Sequence, residues 1–103
     1  MLDGKELEDA IAAKPGEKVE MHQIIKRIKS KNFMTLEGVG CPTVTVCNLI
    51  LDNGYSVRGE AACVVPENFD KEIGETIAYR DAFDKLWPLF GFLLAEKIYT
   101  RGK

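Results

Sequence analysis

Two arginines carry the chemistry that the residue types make available. At 100° per residue Phe69, Ile73, Thr76, Ile77, Phe83 and Trp87 fall on one helical stripe, and Arg80 interrupts it with Asp84 one turn further on. A buried, unpaired guanidinium is costly, so Arg80 must pair with Asp84, meet a second subunit or face an anionic ligand. Arg58 and Glu60 alternate with Val57, Gly59 and Ala61, so on a strand both charges project from one face. Other chemistries have no carrier. His22 is the sole histidine and has no second ligand at helical spacing, so no metal site is expected. There is no GxSxG, HExxH, Walker or dinucleotide GxGxxG motif, and Gly38-Val39-Gly40 stands alone. Cys63 stands near the start of a helix and reads as a buried thiol rather than a nucleophile. No catalytic residue and no cofactor are expected, and the chain reads as non-enzymatic.

Composition narrows the setting. The 103 residues are 46% hydrophobic and 29% charged, which suits one modest globular core. Fourteen basic against sixteen acidic side chains leave a net charge of −2, so no global field recruits nucleic acid or a membrane surface. The densest basic window, Lys26, Arg27, Lys29 and Lys31, lies in a stretch expected to be a helix from about Val19 to Lys31. It reads as a solvated face, with a phosphate-attracting surface as the sharper alternative. Three cysteines without a CxxC pair suit a reducing cytosol, and neither a signal peptide nor a membrane span is legible. The expected location is the cytoplasm of a host cell.

The elements that must position the arginines follow in order. Asp3 and Glu6 form a capping box for a short helix that Lys14-Pro15-Gly16 ends, with Leu2 and Leu7 fitting a hydrophobic staple. Residues 32–42 read as a loop. Thr43 to Leu51 and Tyr55 to Glu60, joined by Asp52-Asn53-Gly54, read as a β-hairpin. The first of these strands is apolar on both faces, so it should be covered on both sides by helices or a partner subunit. A helix should start after Pro66-Glu67-Asn68-Phe69-Asp70 and run to about Leu86 or Trp87, where Pro88 breaks it. The next, Leu89 to Thr100, is apolar nearly all round, so it should in part plug the domain core and in part make a homo-oligomer interface, with Phe90, Phe92, Leu94 and Ile98 as the interface residues. The fold expected is α+β, an antiparallel hairpin or sheet packed by N-terminal helices and two C-terminal helices. It is one domain over 1–103, with 1–16 a helical extension and 19–99 the core.

Three ordered motifs carry a resemblance: Cys47-x-Leu49-x-Leu51-x-Asn53-Gly54-Tyr55-x-Val57-x-Gly59-Glu60, Ala62-Cys63-Val64-x-Pro66-Glu67-Asn68-Phe69-Asp70-x-Glu72-Ile73-Gly74, and Trp87-Pro88-Leu89-x-Gly91-Phe92-Leu93-Leu94. Over Val19 to Ile98 the chain resembles the small phage and prophage proteins of the gene 49/gene 66 type. The hairpin followed by two helices is also similar to the Thoeris anti-defence sponge proteins, which sequester cyclic ADP-ribose isomers and cyclic oligonucleotides in pockets of a homo-oligomer. That resemblance implies a non-catalytic protein whose partners are a second copy of itself and a small nucleotide-type ligand, with neither membrane nor nucleic acid. It implies ligand binding through Arg58, Glu60, Asn68, Phe69, Arg80 and Asp84, with arginines on phosphates and an aromatic ring on a base. A protein-interaction module acting on a host protein, or a structural accessory factor, is the alternative. The chain departs from the family pattern, which has Ser at Ala61, Asn at Asp81, Glu at Phe90 and Tyr at Phe92.

Overall fold

In the computed structural model, residues 1–37, 40 and 42–103 are described; Gly38, Val39 and Cys41 lie outside the described residues. Three strands, β1 (Ile28–Glu37), β2 (Pro42–Leu51) and β3 (Ser56–Ala62), form an antiparallel sheet in the order β1-β2-β3. The β2–β3 hairpin is the expected one. Gly54 takes φ 89°, a conformation that costs glycine nothing, and the Tyr55 amide donates to Asn53 Oδ1 at 3.0 Å. Strand β1 corrects the reading of 19–42 as a helix and a loop. Only Met21–Ile25 is helical (α2); the chain then turns at Lys26 and Arg27 and enters the sheet at Ile28. Ion pairing of Arg27 with Asp52 at 2.9 Å, and an Asp52 amide donating to the Arg27 carbonyl, fix that turn. Pairing Ser30 to Leu36 with Ile50 to Val44 then outweighs the local helical spacing.

The sheet is covered on one face. Thr43, Thr45, Cys47, Leu49 and Leu51 of β2 and Val57 and Gly59 of β3 are buried on that side. Val44, Val46, Asn48 and Ile50 on the other side are only half-buried, so within one chain the central strand is not covered on both faces as its composition suggested. The cover is α3 (Lys71–Asp84), whose Ala78, Ala82 and Phe83 are buried. Contact is backbone to backbone: a Cβ built on Gly59 would lie 2.2 Å from Ala82 N and 2.4 Å from Ala78 O. Helix α3 also closes the outer edge of β3, because Asp81 Oδ2 accepts from the Glu60 amide at 2.9 Å and Lys85 Nζ donates to the Arg58 carbonyl at 2.5 Å. Asp81→Ala is expected to cost about 1–3 kcal/mol in a denaturant titration, and Asp81→Asn, which keeps an acceptor oxygen, much less.

Two expectations for the helices change. The side of α3 against the sheet is its small-residue side, with Ala78 and Ala82 buried and Gly74 half-buried, because only small residues let the helix backbone approach the sheet; of the expected core stripe Phe83 is buried, whereas Ile73 and Ile77 are exposed. Asp70 caps α3, accepting from the Ile73 amide at 3.1 Å. The helix break falls at Lys85, one turn before Pro88. Proline has no N–H to give to the Asp84 carbonyl, so α3 stops there, and Pro88 sits in the first turn of α4 (Leu86–Arg101), where no amide is required.

Only Leu86 and Phe90 of α4 are buried, joining Ile24 of α2, Leu49 and Leu51 in the core. Phe90 is thus a core residue and not the interface residue expected; Leu94 is half-buried, and Phe92 and Ile98 are exposed. The N-terminal helix α1 (Gly4–Ala12) has the expected capping box, Asp3 accepting from Glu6 N at 2.8 Å and Glu6 Oε1 accepting from Asp3 N at 3.2 Å. It buries no residue, and Leu2 and Leu7 both remain exposed, so α1 does not pack on the sheet.

The outcome is an open slab of 57 × 37 × 17 Å with a radius of gyration of 17.3 Å, against about 13 Å for a compact chain of this length. Its accessible surface is 7674 Å², where a compact monomer of this mass exposes roughly 5,800 Å².

Candidate functional site

The segment between β3 and α3 shapes a hollow that holds two of the sequence-predicted ligand residues, Asn68 and Phe69. The chain leaves β3 at Ala62, makes a 3₁₀ turn at Pro66–Asn68 and reaches the Asp70 cap. This path sets Phe69 beside Gly74 and above the start of β2. The cavity there has a volume of about 170 Å³ and is walled by Thr43, Thr45, Phe69, Ile73, Gly74 and Ile77, with Asn68, Asp70 and Cys63 at its margin. Ile73, Ile77 and Asp70 also line a shallower groove of about 350 Å³ that ends at Arg80. Asn68, Phe69 and Arg80 therefore share one flank of α3.

Arg80 is exposed and, among the described residues, forms no ion pair; the anticipated partner Asp84 stands exposed one turn on. The guanidinium is presented to whatever meets that flank. Arg58 and Glu60 lie elsewhere, on the uncovered face of the sheet. There Arg58 Nη1 donates to Asn48 Oδ1 at 3.2 Å and Ser56 Oγ at 3.0 Å. One chain thus divides the expected ligand set between helix α3 and the uncovered face of the sheet.

Thr43 and Thr45 were missed as site residues. Their signal was legible: two hydroxyls, alternating, on the inner face of an otherwise apolar strand. Thr45 is almost fully buried, and its Oγ1, packed against Gly74, has no hydrogen-bond partner among the described residues. Native interiors rarely leave such a group unpaired. Thr45→Val, nearly the same shape, is expected to raise stability by about 1 kcal/mol in thermal melts, because the orphan hydroxyl is removed.

The basic window does not form one face. Arg27 is held by Asp52 and stacks 5.8 Å from the Phe90 ring centroid, while Lys31 lies 5.1 Å from that of Tyr79. The hydrogen bond from Arg27 in turn holds the Asp52 carboxyl below the ordinary carboxylate range. Burial pushes the Cys47 thiol up, which keeps it unreactive, and Cys63 Sγ is engaged by the Val65 carbonyl at 3.1 Å. Among the described residues no group of His, Cys, Asp and Glu is arranged to hold a metal ion, and no helix is long and apolar enough to cross a membrane.

These features define an α+β protein in which a three-stranded antiparallel sheet is backed by one helix, with a cavity of about 170 Å³ and an exposed arginine on that helix's flank. Over residues 19–98 the sequence matches the Phage protein (N4 Gp49/phage Sf6 gene 66) family, and the chain belongs to it. The match leaves α1 outside. No curated protein and no solved structure is a match for the chain.

Proposed function

We propose that this phage protein is a non-enzymatic anti-defence factor that captures a cyclic nucleotide immune signal in the host cytoplasm. The ligand class is a cyclic ADP-ribose isomer or a cyclic oligonucleotide, held in a site that a second copy of the chain completes. The carrying observation is the continuous flank from the Phe69 cavity along Ile73 and Ile77 to the unpaired Arg80. Phe69 offers a base a stacking surface and Arg80 offers a phosphate a charged donor, as the resemblance to signal sponges implies. A cavity of about 170 Å³ admits one base; the roughly 300–1,000 Å³ typical of small-molecule sites requires another wall. The excess of roughly 1,900 Å² of exposed surface per chain over a compact monomer, about 3,800 Å² for two copies, falls in the range that obligate homodimers hide, which supports self-association as the source of that wall.

Isothermal titration of the protein with cyclic ADP-ribose isomers and cyclic di- and trinucleotides tests the reading. Binding at or below about 100 nM, roughly −9.5 kcal/mol, is expected for a protein that must hold a scarce signal. Chromatography after heat denaturation should return the ligand unchanged, and a breakdown product would overturn the non-enzymatic assignment. No binding by any of these ligands would favour a second reading, a protein-interaction module. Its support is the uncovered sheet face, where Met34 and Leu36 are exposed beside Val44 and Val46.

A further inference from the structure

We propose that α1 is an exchanged arm, which lays Leu7 and Ile11 on the outward stripe of α4 in a second copy of the chain. The proposal rests on the self-association given above and needs no ligand.

Helix α1 has every local device of a formed helix and nothing to form against. Its capping box is closed at both hydrogen bonds, yet Leu7 and Ile11, one turn apart on a single face, are each about half exposed at 49% and 51%. A helix of nine residues is below the ~12–15 that hold together unaided in water, so a docking surface has to supply the difference. Its root is fixed: Lys18 Nζ donates to the Ile11 and Lys14 carbonyls at 2.7 and 3.2 Å, and Arg101 of α4 pairs with Glu17 at 2.5 Å. With these anchors made, the apolar stripe of α1 stays uncovered on its own body.

The matching surface is on α4. Phe92, Ala95 and Tyr99 recur at i, i+3 and i+7, opposite the Phe90 side that enters the core, and Phe92 and Tyr99 are 64% and 60% exposed. The charges of the two helices are complementary. Asp3, Glu6, Glu8 and Asp9 outnumber Lys5 on the arm, while at the end of α4, where Glu17 already neutralises Arg101, Lys97 and Lys103 outnumber Glu96. The same acidic character disfavours a lipid surface, since helices that lie on membranes carry Lys and Arg on the polar face. A root at the C-terminal end of one α4 places the arm beside a neighbour whenever two copies bring these helices together. The exchange then covers both unpartnered stripes at once.

Sedimentation of the full chain and of Leu7→Glu/Ile11→Glu reads the effect directly. Neither residue is buried, so the body should keep the circular dichroism spectrum of the unaltered protein, while the self-association constant weakens about a hundredfold or more. A second measurement mixes a Leu7→Cys chain with a Phe92→Cys or Tyr99→Cys chain under oxidation. A disulfide between the two different chains is expected, with the unaltered protein as control for the native cysteines. Assembly indifferent to the double glutamate substitution, or cross-linking only within a doubly substituted Leu7→Cys/Phe92→Cys chain, would overturn the exchange and leave self-association standing. An unaltered protein that remains monomeric would overturn both.

Discussion

Gly59→Ala should abolish folding or cost well over the ~1–3 kcal/mol usual for overpacking. The added methyl would lie 2.2 Å from Ala82 N, 2.4 Å from Ala78 O and 2.8 Å from Ala82 Cα. All three are main-chain atoms, so no rotamer change relieves the clash; α3 has to lift off β3. That lift would also stretch the Asp81 bond to the Glu60 amide and the Lys85 bond to the Arg58 carbonyl. Against a total of ~5–15 kcal/mol for a domain, the loss is large enough to read from expression and circular dichroism as well as from a denaturant midpoint. Gly74→Ala is the control. Its methyl would meet Thr45 Oγ1 at 2.5 Å, a side-chain atom that can turn about χ1, so a smaller loss is expected. A Gly59→Ala protein as stable as the original would mean that helix and strand do not touch where the structure places them.

The same contact explains what was legible in the sequence. The hairpin announces itself because Asp52-Asn53-Gly54 and the alternation around it are local signals, and so does the Asp3 capping box. Strand β1 does not, because Ile24, Ile25 and Ile28 recur at helical spacing and the preference is settled only by pairing with β2. The core side of α3 departs from the expected stripe at Ile73 and Ile77 for a related reason. Large apolar residues suggest a buried stripe, yet Gly59 opposite Ala78 and Ala82 makes closeness of approach the deciding quantity, and Ile73 and Ile77 are left on the flank with Arg80. Sequence spacing could place Arg80 on the side of the helix that Phe69 begins, about three turns on. It could not divide Arg58 and Glu60 from them, because that division depends on which face of the sheet the helix covers.

Phe69→Ala/Arg80→Ala should weaken capture of the best-bound cyclic nucleotide by about 10²–10⁴-fold. A base stacked on an aromatic ring is worth ~1–3 kcal/mol and a charge-assisted phosphate contact ~1.5–3, so the pair removes a substantial part of the roughly −9.5 kcal/mol that a useful sponge requires. The two groups reach different parts of a ligand along the Ile73–Ile77 flank. Each single substitution should therefore give a partial loss, and the losses should come close to adding. Stability separates the roles: Arg80 is exposed without an ion pair, so Arg80→Ala should melt within about 0.5 kcal/mol of the original. Phe69, half-buried against Gly74, should cost more. Titration calorimetry of the singles and the double, beside thermal melts of each, reads all these quantities. Unchanged affinity in Arg80→Ala would remove the guanidinium from the site and with it the α3 flank as the binding surface. Arg58→Ala is the companion measurement, since Arg58 stands on the sheet face that α3 leaves uncovered. A loss of binding there, with assembly intact, would place the sheet face of one copy against the α3 flank of its neighbour.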